Sequence, residues 1–215
     1  TDLSGLLVQQ GYPHTYVHNV RINDAGQILL VVDREEPSAL PRIATLLVLD
    51  GAVTDLGASP GNGGALSWDL SEGGHVAVNT GYGSGGTFIW SRGAWTDLGI
   101  TGTVNAVLDA DRAVGADASG GFLWQYGGRT ALPTYDLDST SEAIDLNNRM
   151  VVVGHSYSPR RPVYWLGGPT GSWQARILPL PSGMGGSLVT VRASNDENTV
   201  VGQAGSQAIA WQIQP

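Results

Sequence analysis

Three groups of side chains in this 215-residue chain have the types and spacing to do chemistry. The first is Tyr12, His14, Tyr16 and His18, in YPHTYVH, where interleaved phenols and imidazoles could stack on a sugar or bind a metal. The same residues suit an anchoring role, with one apolar side buried and a polar tip satisfied. The second is His155, Tyr157, Arg160 and Arg161, in HSYSPRRP. A guanidinium pair can grip a carboxylate bidentately, and a solvated loop is the plainer reading. The third group is carboxylates. Asp136, Asp138 and Glu142, in DLDSTSE, offer oxygens at the spacing a hard cation such as calcium would use, but the string lacks the glycine and terminal glutamate of an EF-hand loop, and short acidic loops also cap turns. Asp69, Asp109 and Asp145 recur at comparable places along the chain, a placement compatible with the acid and base or nucleophile of a glycoside hydrolase. That mechanism depends on carboxylate separation, which spacing in sequence does not supply, and an Asp at such places can equally bond loop backbone.

The elements that must position these residues are short strands. An apolar run, a turn rich in Asn, Asp and Gly, and a second apolar run recur in NVRINDAGQILLVV, LSWDLSEGGHVAVN, NAVLDADRAVGA, EAIDLNNRMVVVGH and TVRASNDENTVVGQ. Turn residues that tolerate positive φ and bond their own backbone make each a β-hairpin. A second hairpin follows. Trp90, Trp124, Trp165 and Trp211 each end its first apolar triplet, with Val48 in the matching place, and turns at Asp50-Gly51, Arg92-Gly93 and Gly127-Gly128 lead to a closing strand such as TDLG. Spacings of this size signal propellers and arrays.

Five four-stranded units result, at 18–57, 65–99, 104–138, 141–181 and 187–215. The fifth is short of one strand. Residues 1–5, TDLSG, resemble the closing word TDLG, so the expected fold is a single all-β domain over 1–215, a five-bladed β-propeller of four-stranded antiparallel blades whose N-terminal strand completes the last blade.

Strings such as AIDLNNRMVVVGHS, FLW and AWTDLG resemble the HAF repeats of bacterial extracellular proteins, over nearly the whole chain. The His-Ala-Phe of that pattern is replaced here by GTF, GGF, PVY and QAI. The resemblance implies a secreted or cell-surface propeller and carries over no catalytic residue.

Loop lengths point to a face. First-to-second and third-to-fourth turns are short, whereas second-to-third and inter-unit connections such as DREEPSALPRIA, HSYSPRRP and PTYDLDSTS are long and varied. Binding residues concentrate on variable loops over a rigid scaffold, so a carbohydrate or protein ligand is expected at the long-loop end, with Tyr12, His14, His18, Asn105, Glu142, His155, Tyr157 and Arg160 as the binding set. A formal charge of −8, with all eleven cationic residues arginine, argues against nucleic acid or an anionic membrane as partner. No apolar run approaches the roughly 20 residues of a membrane span. There is no G-x-S-x-G, H-E-x-x-H, phosphate-loop or cysteine chemistry, since GYGSGG at Gly81 opens no helix, and no cofactor is expected. The expected state is a monomer, and the competing readings are a glycoside hydrolase and a purely structural repeat module.

Overall fold

The structure, a computed structural model, describes residues 2–12, 16–33, 43–57, 65–80, 86–167, 171–180, 182–183 and 188–214, with the backbone alone for 65–68. Among the described residues one helix, α1 (Leu3–Gln9), precedes eighteen strands. β1 (Val17–Ile22), β2 (Ile28–Asp33), β3 (Ile43–Leu49) and β4 (Ala52–Asp55) form one antiparallel sheet in chain order. β5 (Ala65–Leu70), β6 (Val76–Thr80), β7 (Gly86–Ser91), β8 (Ala94–Leu108), β9 (Arg112–Asp117), β10 (Gly120–Gln125) and β11 (Gly128–Ala131) form a seven-stranded sheet. β12 (Thr140–Leu146), β13 (Val151–Tyr157), β14 (Arg161–Gly167) and β15 (Trp173–Ile177) form a third sheet, and β16 (Val189–Ser194), β17 (Thr199–Ala204) and β18 (Gln207–Gln212) a fourth. The chain divides into two compact units, Thr1–Val104 and Asn105–Pro215. β8 spans the division: its first half pairs with β7 as far as Thr101, and the strand runs on beyond Asn105 as the neighbour of β9.

The repeats are visible in their turns. Asn23, Ser71, Asn147 and Asn195 each end a first strand, and the side-chain oxygen of each accepts the backbone N–H four residues on, at 2.9, 2.9, 3.0 and 2.9 Å. That bond fixes the turn without help from the rest of the fold, which is why Asn and Ser stand there. The same residues lace neighbouring repeats together. Asn23 Nδ2 donates to Ser71 O at 2.8 Å, and Asn147 Nδ2 to Asn195 O at 2.7 Å, each pair 48 residues apart.

Between the turns the strands alternate toward apolar cores. In the first unit Leu29, Leu56, Val76 and Phe88 form one cluster, and in the second Trp165 centres a cluster with Leu123, Leu132 and Val152. The buried Trp165 and Trp211 still satisfy their indoles, since Nε1 donates to Pro133 O and to Pro179 O, both at 2.7 Å. These carbonyls follow the leucine that closes the preceding repeat, so each tryptophan fills its own repeat and pins the one before it.

The N-terminus departs from expectation. Residues 3–9 are a helix, and the sheet of β16, β17 and β18 has three strands among the described residues, so the expected N-terminal closing strand is not formed. Asp2 caps the helix by accepting the Ser4 N–H at 3.0 Å. Leu3, Leu6 and Leu7 follow at helical spacing, and Leu7 packs with Leu30, Val32, Ala44, Leu46 and Val48 of the first sheet. A three-residue likeness to TDLG is outweighed by that apolar stripe. Leu7→Ala is expected to lower the stability of the first unit by about 2 kcal/mol, at the low end for a buried leucine because the helix is short and peripheral, as measured by chemical denaturation. A change within a few tenths of a kcal/mol would show that the helix is not docked as described.

Candidate functional site

β12, β13 and β14 bring most of the second sequence group together. Thr140 pairs with Tyr157 and Glu142 with His155 across β12 and β13, so Tyr157 and Glu142 are diagonal neighbours on one face. Tyr157 Oη donates to Glu142 Oε2 at 2.5 Å. Burial and then the Glu142 carboxylate push the Tyr157 hydroxyl up to about 12, so it remains a proton donor at neutral pH.

His155 is fully buried, and its Nε2 accepts the Val191 N–H at 2.9 Å. This bond leaves the ring proton on Nδ1. Burial, with the nearby Arg160 and Arg192 guanidiniums, lowers His155 to about 4 and keeps it neutral. Asn79 is its counterpart in the first unit, eight residues after Ser71 as His155 is after Asn147, and Asn79 Oδ1 accepts the Val104 N–H at 2.8 Å. His155 therefore serves as an acceptor that ties β13 to β16.

Arg160 and Arg161 emerge from the following loop. Arg160 Nη2 lies 3.3 Å from each His155 ring nitrogen, and its Cζ lies 5.6 Å from the centre of the Tyr157 ring. Arg161 stands over Tyr135 at 5.6 Å, with Nη1 3.9 Å from Asp138 Oδ1. The loop is held by Ser139, whose N–H donates to Tyr157 O at 2.9 Å and whose Oγ donates to Ser158 Oγ at 3.1 Å. Beside the two arginines opens a groove of about 570 Å³, walled by Ile177, Leu178, Leu180, Leu188 and Val189.

A larger cavity, about 690 Å³, lies at the short-turn end of the same unit, against Trp173, Met150, Arg149, Gln125 and Thr130. It arises where β14 and β15 are joined by a longer connection than the other third-to-fourth turns. Among the described residues Arg149 is the one charged residue in its lining, whereas the long-loop groove is lined by both Arg160 and Arg161.

The remaining candidates are separate. Tyr12 Oη donates to Asp55 Oδ2 at 2.8 Å and fastens the end of α1 to β4. His18 meets Asp33 at 2.7 Å and Tyr16 edge-on at 4.9 Å, an exposed set at the long-loop end of the first sheet. His14 lies outside the described residues. Asn105 Nδ2 donates to Ala143 O at 2.7 Å and is spent on joining strands.

The metal reading does not survive the geometry. Among the described residues no three metal-capable side chains converge. Asp136 is exposed, Asp138 turns inward toward Arg161, and Glu142 is held by Tyr157. Nor are the three catalytic-reading aspartates equivalent. Asp109 stands at an exposed turn, in the place taken by Asn147 in the next repeat, while Asp69 and Asp145 lie two residues before their turns, where the third repeat has Val107. Asp145 Oδ2 accepts Ser194 N at 2.6 Å and Ser194 Oγ at 2.9 Å. Burial raises its pKa despite those donors. It joins β12 to β16 and presents no free carboxylate edge at that oxygen.

The inward turn of Asp138, the Tyr135 contact and the Val191 bond to His155 have no signal in the residue types or their spacing. The aliphatic wall had a faint signal in ILPLP and SLV, apolar residues within an inter-unit connection.

No protein-family model matches the sequence, and no curated protein sequence matches it. Among solved structures, virginiamycin B lyase from Staphylococcus aureus, in its selenomethionine-substituted form, aligns with a TM-score of 0.51 at 9% identity. The alignment covers 93% of this chain and 70% of that one. At this identity the likeness is one of fold, a propeller-like arrangement of antiparallel sheets.

Proposed function

We propose that the chain is a five-bladed propeller of HAF-repeat type that acts outside the cell as a monomer and recognises a carbohydrate or protein ligand at the long-loop end of its blades. Four of the blades correspond to β1–β4, β5 to the first half of β8, the second half of β8 to β11, and β12–β15; the fifth contains β16–β18. The propeller-like fold of the structural neighbour supports the scaffold. The observation that carries the binding reading is the pair Arg160 and Arg161 lining an open groove, with Arg160 over the ring of Tyr157, which is bonded to Glu142. A phenol held protonated, a carboxylate and two guanidiniums beside apolar surface are the convergent polar groups of a recognition site. Hydrolysis has less support, because Asp145 is bonded to Ser194 and Asp109 is a turn residue.

A glycan array and a peptide library screened with the same purified protein test this reading. Binding is expected, without sugar turnover, and Arg161→Gln should weaken it about tenfold or more while Arg149→Gln at the short-turn end leaves it unchanged. Loss of binding in the Arg149 variant alone, or no ligand in either library, overturns it.

A further inference from the structure

We infer that the groove beside Arg160 and Arg161 receives the C-terminal carboxylate of a peptide whose last side chain is aliphatic. This rests on the reading of the long-loop end as a recognition site and names its ligand. The cation is the starting point. Arg160 Nε is buried and has no acceptor among the described residues. Its Nη2 faces His155, which already accepts the Val191 N–H and, being neutral, supplies no counter-charge. Its aromatic neighbour Tyr157 keeps its proton, and the carboxylate in reach of that phenol, Glu142, is engaged by it.

Among the described residues no carboxylate forms an ion pair with Arg160, and Arg161 has only Asp138, at 3.9 Å. A guanidinium drawn out of water without an anion is costly, and a bound anion removes that cost. The groove says which anion. A carboxylate matches the guanidinium fork bidentately, and the aliphatic lining beside the fork favours an anion that carries an apolar group over inorganic phosphate. The walls are aliphatic, with Ile177 41% and Leu188 66% exposed, and among the described residues no aromatic ring lines them for a sugar to stack on. A volume of about 570 Å³ holds a terminal residue, and the exposed Leu188 rim leaves a way out for the chain that precedes it.

The test is calorimetric titration with an N-acetylated tripeptide of two alanines and a C-terminal leucine, as the free acid and as the amide. The acid is expected to bind at least about tenfold more tightly than the amide, and Arg160→Gln and Leu188→Asp should each weaken the acid by about tenfold or more. If Arg160→Gln does not fold, the acid-to-amide ratio on the unaltered protein and the surface variant Leu188→Asp decide the matter. Equal binding of acid and amide, or no binding of either, overturns the inference. So does 4-methylpentanoate binding as tightly as the tripeptide, or inorganic phosphate displacing it at equal concentration. Should a glycan or an internal peptide bind and lose affinity in Arg161→Gln while acid and amide stay equal, this inference fails and the broader recognition reading stands.

Discussion

Gly154→Ala is expected to destabilise the second unit by more than about 4 kcal/mol and to dismantle the site with it. A Cβ on Gly154 would overlap the Glu142 carbonyl oxygen and lie 3.0 Å from Ala143 Cα. Both obstacles are backbone, so no side chain can swing aside. The backbone at Gly154 is not left-handed, and the need for glycine is therefore one of space alone. The space is taken because β12 carries a bulge between Ala143 and Asp145, which brings its backbone close over Gly154. Overpacking a flexible core commonly costs about 1–3 kcal/mol, and a collision with main chain inside a paired hairpin exceeds that range. Gly202 stands 48 positions later against Thr190 O in the same way, at another bulged first strand, whereas Val78 and Leu30 hold the matching places in the first unit, so the requirement belongs to these two repeats. Denaturant unfolding of Gly154→Ala measures the effect. A loss below about 1 kcal/mol would mean that β12 and β13 are not packed as described.

The second large effect is on acid stability. His155 has its folded pKa lowered from 6.5 to about 4 by burial and by Arg160 and Arg192. Above pH 6.5 the ring is neutral in both folded and unfolded chains, and the full stability is present. Between pH 6.5 and 4 the unfolded chain takes up a proton that the folded one refuses, so stability falls as pH falls. At 1.36 kcal/mol per pH unit the accumulated loss near pH 4 is roughly 3 kcal/mol.

His155→Asn keeps an acceptor for the Val191 N–H, as Asn79 does for Val104, and removes the titration. The stability difference between the two proteins is therefore expected to change by roughly 3 kcal/mol between pH 7 and pH 4. Asp145, with its raised pKa, acts in the opposite direction, since its protonation favours the folded state; being common to both proteins, it cancels in the difference. Parallel stability profiles, or an NMR titration of His155 centred near its ordinary value, would refute the buried neutral ring.

The hairpin pattern was legible because its causes are local. Asn23, Ser71, Asn147 and Asn195 close their turns with their own side chains, so their residue types mark the turns wherever the chain goes. Trp165 and Trp211 lie near the ends of the third strands β14 and β18, and the cluster of His155, Tyr157 and Arg160 was visible because one hairpin end and its loop carry all three. TDLSG was misread for the same reason that the turns were read well. A short word was matched to a strand, while the leucine stripe that makes it a helix extends past the end of the word to Leu6 and Leu7.

What the sequence determined by itself is the set of strands, turns and repeats, since alternation and turn chemistry act over a few residues. The role of each polar group, by contrast, follows from packing between distant segments. His155 is an acceptor for an amide 36 residues away, Asp145 is bonded to Ser194 49 residues away, and Arg160 Nε has no acceptor among the described residues. Those outcomes depend on bulges that shift the register of first strands and on close backbone approach at Gly154. Desolvation and hydrogen-bond geometry, which set charge and reactivity, exist only once distant strands have met.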